Sequence, residues 1–402
     1  MRRFISTILL AFLVLASTQW AQAQTYKVIY NFTGQNDGGH PVGNMAIDRG
    51  GNLYGTGYAF GQYGFGTVYK LTKKNSSWLF AVLYAFQGGI DGAYAGNGVT
   101  IGPNGTLYGV TTFGGFGCGT VFNLKPPPTH PATPFSPWNE SVLYRFNDDN
   151  YNCRTASTVN FDKSGDMYGV TDYHGPAGGG TVYELTPSGS GWQETTLYAF
   201  KSGEGGQPNG AVVLDSGGNL YGANAFGGPS DAGTIFQLTP SGSGWTMNVL
   251  TGFPLRNDGD RPYGGVILDP SGNVYGTTSF YGSDGGGTVF VLTPGAWTFS
   301  LLYSFAGNGG PVASLTMDPA GNLYGTTGND GAYQQGNVFK LTPSNGGWIY
   351  TDLHDFTGGI DGGYPDGTLV LDASGNIYGT ADIGGTGVGC DQGCGVVFEI
   401  TP

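Results

Sequence analysis

Along the chain, short apolar and aromatic runs are bounded by Gly, Pro, Asn, Asp or Ser, a pattern that predicts short strands separated by turns. Four such runs recur in a fixed order. The first resembles Val266-Ile267-Leu268-Asp269, and the second Gly321-Asn322-Leu323-Tyr324-Gly325-Thr326-Thr327. The third reads Gly-Thr-Val-Phe-x-Leu-Thr-Pro over residues 287–294, and the fourth begins at a tryptophan and ends Leu-Tyr-x-Phe, as in residues 192–200. No stretch of useful length has apolar residues at i, i+3, i+4 and i+7, so the expected class is all-β.

The second run occurs seven times, marked by Tyr54, Tyr108, Tyr168, Tyr221, Tyr275, Tyr324 and Tyr378, at a spacing close to 54 residues. A four-strand unit repeated at such a period predicts the blades of a propeller. The order at the ends adds closure. Residues 26–32 read as a fourth strand with no blade before it, and residues 395–402 as a third strand with no fourth after it. Joining the two completes a seventh blade, giving a seven-bladed β-propeller whose ring the N-terminal strand closes and whose sheet edges are hidden.

Most recurring residues have structural explanations. Asp48, Asp162, Asp215, Asp269, Asp318 and Asp372 precede Gly-containing turns, where an aspartate bonds its own turn backbone; Gly102 stands there in the second copy. Trp78, Trp138, Trp192, Trp245, Trp297 and Trp348 are expected to cover blade edges or gaps between blades. Phe32, Phe86, Phe146, Phe200, Phe253, Phe305 and Phe356 are expected to pack between blades.

Composition changes this picture little; the N-terminus changes it more. Arg2 and Arg3, an apolar run over residues 5–16 and Ala21-Gln22-Ala23 form a secretory signal pattern. The reading is therefore residues 1–23 signal peptide and 24–402 propeller, exported to a periplasmic or extracellular location. The apolar run is too short to span a bilayer, and no membrane insertion is expected after cleavage. Formal charge is −13, or −15 without Arg2 and Arg3, which argues against nucleic acid and anionic lipid as partners. Glycine, at 77 of 402 residues, lacks a three-residue period and excludes collagen, while 14% aromatic residues supply core material that disordered chains lack.

The second-strand motif, the third-strand motif and the Leu-Tyr-x-Phe strand with its Gly-Gly-x-Asp-Gly turn (residues 358–362) resemble the GloVer tandem repeat of exported bacterial choice-of-anchor proteins. The resemblance covers residues 26–402 and implies export, with a C-terminal anchoring segment in many members. This sequence stops at Pro402 without such a segment. The resemblance brings no catalytic residue with it. The strand order is also similar to NHL-type propellers.

In this arrangement the loops after the second and fourth strands share one face and differ most among copies, which makes that face the candidate site. Its second-strand loops offer Tyr58, Phe60, Phe113, Tyr173, Asn224, Phe226, Phe280, Tyr281, Asp330 and Asp382 as ligand-binding residues. Aromatic rings interleaved with carboxylates and amides suit carbohydrate, a ring covering the sugar face while polar groups bond its hydroxyls; the competing reading is that the rings only pack the loops. His174 with Asp172 is the acid/base candidate. His130, in a proline-rich insert, His354, in an outer strand, and His40, in a turn, rank below it.

Zinc, phosphate-loop and nucleophile-elbow motifs are absent, and no metal or cofactor is expected. Residues 148–152 resemble the start of a calcium loop, but Cys153 stands where that loop needs glycine. Asp258-Gly259-Asp260 could hold calcium through carboxylate and carbonyl oxygens, the competing and favoured reading being turn chemistry alone. Four cysteines in an exported chain are expected to pair, and the blade arrangement selects Cys118–Cys153 and Cys390–Cys394. Residues 126–137 are a proline-rich extension between the third and fourth strands of the second blade. Three functional readings follow. The first is a monomeric, non-catalytic platform for an extracellular glycan or protein partner. The second is a secreted polysaccharide or glycoside lyase or hydrolase, and the third is a structural envelope component.

Overall fold

The structure is a computed structural model that describes residues 24–402 except 129–135, 148–153, 174, 176–177, 190, 202–203, 243, 255 and 308. The proposed signal peptide (1–23), His130, the calcium-loop-like segment, Cys153 and His174 therefore lie outside the described residues. Seven antiparallel sheets form a ring of blades, and the described residues contain no α-helix, only two 3-10 turns at Gly89–Asp91 and Arg256–Asp258. Blade 1 shows the plan: inner strand Ala46–Ile47, second strand Leu53–Gly57, third strand Thr67–Lys74 and outer strand Ser77–Ala85. Inner strands are two residues long, three in blade 2. Blade 4 carries an extra short strand, Gly206–Pro208, on its second strand.

Closure occurs as the sequence predicts. Thr25–Asn31 pairs antiparallel with Val396–Thr401, setting Thr25 opposite Thr401 and Val28 opposite Phe398. Blade 7 thus takes its outer strand from the start of the chain and the other three from its end.

Aromatic contacts link consecutive blades. The phenylalanine leaving each outer strand packs edge-on or tilted against the third-strand aromatic of the next blade. The seven pairs run from Phe32–Tyr69 through Phe86–Phe122 to Phe356–Phe398, with centroids 4.9 to 5.4 Å apart. The tryptophans clasp backwards: Trp78 meets Tyr378, Trp138 meets Tyr54, Trp297 meets Tyr221 and Trp348 meets Tyr275, each the repeat tyrosine of the preceding blade. Each of the seven buried clusters draws residues from two adjacent blades, so the core lies between blades.

The recurring aspartates act in turns, with one addition. Asp48 accepts bonds from the Gly50 and Asn52 amides, the Asn52 side chain and the Tyr54 hydroxyl, and Asp215, Asp269, Asp318 and Asp372 repeat the set. The repeat tyrosine is thereby tethered to the turn that precedes it. In blade 2, where Gly102 replaces the aspartate, Asn104 bonds the Tyr108 hydroxyl instead.

Around the axis the chain passes of neighbouring blades touch. Asn44 pairs with Gly98, and a side chain at Gly98 would overlap the Asn44 carbonyl; Gly210, Gly264 and Gly367 are similarly confined by backbone of the next pass. Bare backbone at these positions sets the width of the throat.

A candidate binding site at the mouth of the central channel

The throat opens on the variable face into a cavity of about 670 Å³. Its wall is a ring of equivalent positions, one per blade: Val42, Gly96, Ala156, Asn209, Tyr263, Val312 and Asp366. In blades 1, 4, 5, 6 and 7 this residue follows a proline in the link from one blade to the next. Two residues earlier stand His40, Tyr94, Gln207, Arg261 and Tyr364, all with left-handed φ of 52 to 60° although none is glycine. The conformation has a structural cause. The residue's amide bonds the preceding blade, as His40 N–H to the Cys394 carbonyl and Arg261 N–H to the Ala232 carbonyl. Its own carbonyl accepts from the end of its blade's second strand, as from Tyr58 N–H and Ser279 N–H. A side chain in that conformation has a conformational cost of order 1 kcal/mol, which these two bonds help to offset.

Of the residues expected on this face, Tyr58, Asp172 and Asp382 meet at the cavity. Their backbone amides are the ones clamped to the blade links, at His40, Arg154 and Tyr364 respectively. Tyr173, Phe226 and Tyr281 have cations over their rings, Arg154 at 5.7 Å, Arg261 at 4.2 Å and Arg256 at 4.8 Å. Phe60 stacks beside His40, and Phe113 meets Tyr94 edge-on. Phe280 packs against Tyr263, and Asp330 abuts Gly307; none of these loop residues lines the cavity. Asn224 differs from the expectation more sharply. It is fully buried and its amide donates to Thr234 Oγ1, because the second strand of blade 4 runs on to Phe226 and carries Asn224 inside the sheet.

Residues that sequence reasoning ranked low or passed over complete the mouth. His40 Nδ1 lies 2.9 Å from Asp382 Oδ1, joining blade 1 to blade 7. This bond holds the His40 pKa above its ordinary value against the opposing effect of burial. Arg154 Nε lies 3.2 Å from Asp172 Oδ2. Burial pushes the Asp172 carboxyl up to about 6 despite that guanidinium. Asp366, half-buried and beside Asp382, is pushed up to about 7 by desolvation and that carboxylate. Oδ1 of both Asp172 and Asp366 is buried without a hydrogen-bond partner. The sequence did hold a signal for this ring, the residue after proline in the recurrent x-Pro-x-Gly link, which differs at every copy that has it.

The Cys390–Cys394 disulfide forms as expected, in the loop of blade 7 on this face. Cys118 is buried, and none of the described cysteines is free; its expected partner Cys153 lies outside the described residues. No group of three or more metal-ligating side chains occurs among the described residues, and no helix among them is long and apolar enough to cross a membrane.

Seven closed blades around a mouth of variable residues define a seven-bladed β-propeller. The chain belongs to the Gloeobacter/Verrucomicrobia repeat family, whose profile matches residues 17–213, 135–310 and 207–402. No curated protein matches it in sequence. Among solved structures it is similar to the extracellular domain of a one-component system from B. thetaiotaomicron, at 12% identity over 93% of this chain and 40% of that one, with a TM-score of 0.53. The extracellular domain of a hybrid two-component system from the same organism gives 13% identity, 93% and 39% coverage and a TM-score of 0.54. The chain thus spans about two fifths of the length of those proteins. A 6-phosphogluconolactonase-like protein of Bacteroides fragilis aligns at 15% identity over 77% of this chain and 82% of its own, with a TM-score of 0.49. At these identities the shared property is the fold alone.

Proposed function

We propose that this protein is an exported, non-catalytic platform that binds a glycan at the mouth of its central channel. The observation that carries this reading is the ring itself: seven equivalent positions, each free to differ, surround a concavity of ligand size and place Tyr263 and Asn209 across from Asp366, Asp382 and His40. An aromatic wall with amide, carboxylate and imidazole groups is the chemistry that sugars require. Export fits the disulfide on the same face. The test is binding of the purified chain to a panel of polysaccharides and oligosaccharides, with products monitored. Saturable binding that Tyr263→Ala weakens at least tenfold is expected, without turnover. Binding unaffected by Tyr263→Ala and Asp382→Asn would place the site elsewhere.

One observation favours a hydrolase or lyase as the second reading. Desolvation and the neighbouring Asp382 push the Asp366 carboxyl up to about 7, the range a general acid requires. Product formation abolished by Asp366→Asn with binding retained would replace the platform reading.

A further inference from the structure

The unpartnered groups of the mouth bear on the charge of its ligand. Asp172, a lining residue, is 5% exposed; its Oδ2 is held by Arg154, and its Oδ1 is buried without a partner. Asp366 Oδ1 is buried without a donor, and the Thr368 and Thr380 hydroxyls in the same blade are equally unpartnered, Thr380 at 3% exposure. Among the described residues lining the cavity, the cationic side chains are Arg154 and His40, and each is already engaged by a carboxylate. Three carboxylates therefore face one guanidinium and one imidazole, and Asp366 has no cation of its own.

A ligand that covers this mouth removes water from the part-exposed carboxylates of Asp366 and Asp382 that line it. It must bring donors, since an uncompensated buried acceptor costs about 1–3 kcal/mol and a buried charge more. Sugar hydroxyls supply donors but no charge to offset an ionised Asp366 beside Asp382. An ammonium group supplies three donors and the missing charge together.

We propose that the mouth selects glycans bearing free amino groups, with the ammonium held by Asp366 beside the Asp382–His40 pair and the sugar ring against Tyr263. This rests on the glycan-platform reading and narrows it to one class. Both groups that would bond the amine come from the link and second-strand loop of blade 7, which contribute Asp366 and Asp382. Across the cavity, blades 3 and 4 present the mutually paired Arg154 and Asp172 and the uncharged Asn209, so the ligand would be oriented with its amine towards blade 7.

The experiment compares a glucosamine hexamer with an N-acetylglucosamine hexamer of equal length by titration calorimetry in 0.15 M salt. That concentration shortens the reach of the protein's overall negative charge to roughly 8 Å. The expected result is at least tenfold tighter binding of the free-amine oligomer. That preference should vanish in Asp366→Asn and shrink in Asp382→Asn, with both variants melting cooperatively. Equal binding of the two hexamers, or a preference that survives Asp366→Asn, would overturn the amine assignment while leaving the glycan site standing. The same holds if neither hexamer binds but another glycan does. Spermidine binding as tightly as the glucosamine hexamer would overturn both readings, because the mouth would then recognise an amine without its sugar.

Discussion

His40 Nδ1 and Asp382 Oδ1 are 2.9 Å apart although 342 positions separate them in the chain. The bond crosses the junction between the first and last blades, where ring closure is also made by the two terminal strands. Both side chains are about 30% exposed, 30% for His40 and 28% for Asp382. A double-mutant cycle of His40→Ala and Asp382→Asn should give a coupling of about 0.5–1 kcal/mol at pH 5.5. Since the folded His40 pKa is raised, the stabilisation is fully present below its unfolded value near 6.5 and is lost as pH rises through the folded value. Coupling that grows between pH 6 and 8 would refute the assignment.

Stability as a whole should peak on the acid side. Asp366 and Glu140, each pushed up to about 7, and Asp172, pushed up to about 6, retain protons that the unfolded chain releases near pH 4. The fold therefore loses stability as pH rises from about 4 to 7. Asp48, Asp215, Asp318 and Asp372 act oppositely. Burial raises them, but their turn bonds outweigh it and leave them lowered, so stability is lost as pH falls below about 4. Thermal melts from pH 3.5 to 8 should peak between about pH 4 and 5, and Asp366→Asn should flatten the descending limb. A midpoint rising steadily up to pH 7 would contradict this balance.

Tyr183 occupies a place filled by phenylalanine in blades 2, 4, 5, 6 and 7, yet it is fully buried and its hydroxyl has no partner. Tyr183→Phe removes an orphaned polar group without creating a cavity and should stabilise by about 1 kcal/mol. Tyr69→Phe, at the same place in blade 1, should behave alike. A loss of stability in chemical denaturation would show that the hydroxyl is bonded.

Gly34, just beyond the closing strand, lies against the Cys390–Cys394 disulfide: a Cβ there would sit 2.7 and 2.8 Å from the two sulfurs, at a φ of 70°. The disulfide closes a very short loop, so Cys390→Ala with Cys394→Ala should cost about 2 kcal/mol. Gly34→Ala should cost more than that in the native chain and less in the cysteine-free variant. Equal costs in both backgrounds would mean that the sulfurs do not confine it.

Gly98→Ala, which drives a methyl group into the Asn44 carbonyl at the throat, should destabilise by at least 3 kcal/mol or prevent folding. Gly218→Ala also replaces a left-handed glycine, at φ 83°, but nothing lies within 4 Å of the added carbon. Its cost should stay near 1 kcal/mol. Similar losses for the two in the same melting assay would remove the case for a crowded throat.

The sequence by itself determined the blade count, the strand order, ring closure and the jobs of the turn aspartates, tryptophans and phenylalanines. Each of these is written locally and copied, so Tyr54 and Tyr378 report the same neighbourhood. It also pointed to the face on which Tyr58, Asp172 and Asp382 meet at the cavity. It ranked His40 low and passed over Asp366, because neither has chemistry visible in its own repeat: His40 becomes notable only beside Asp382, and Asp366 only where desolvation and that same carboxylate raise its pKa. Nor did it separate Asn224 from its loop neighbours, since a longer strand in one blade decides whether that side chain meets solvent or Thr234. Which residues converge on the axis depends on bending seven copies into a circle, and that long-range geometry belongs to the tertiary structure.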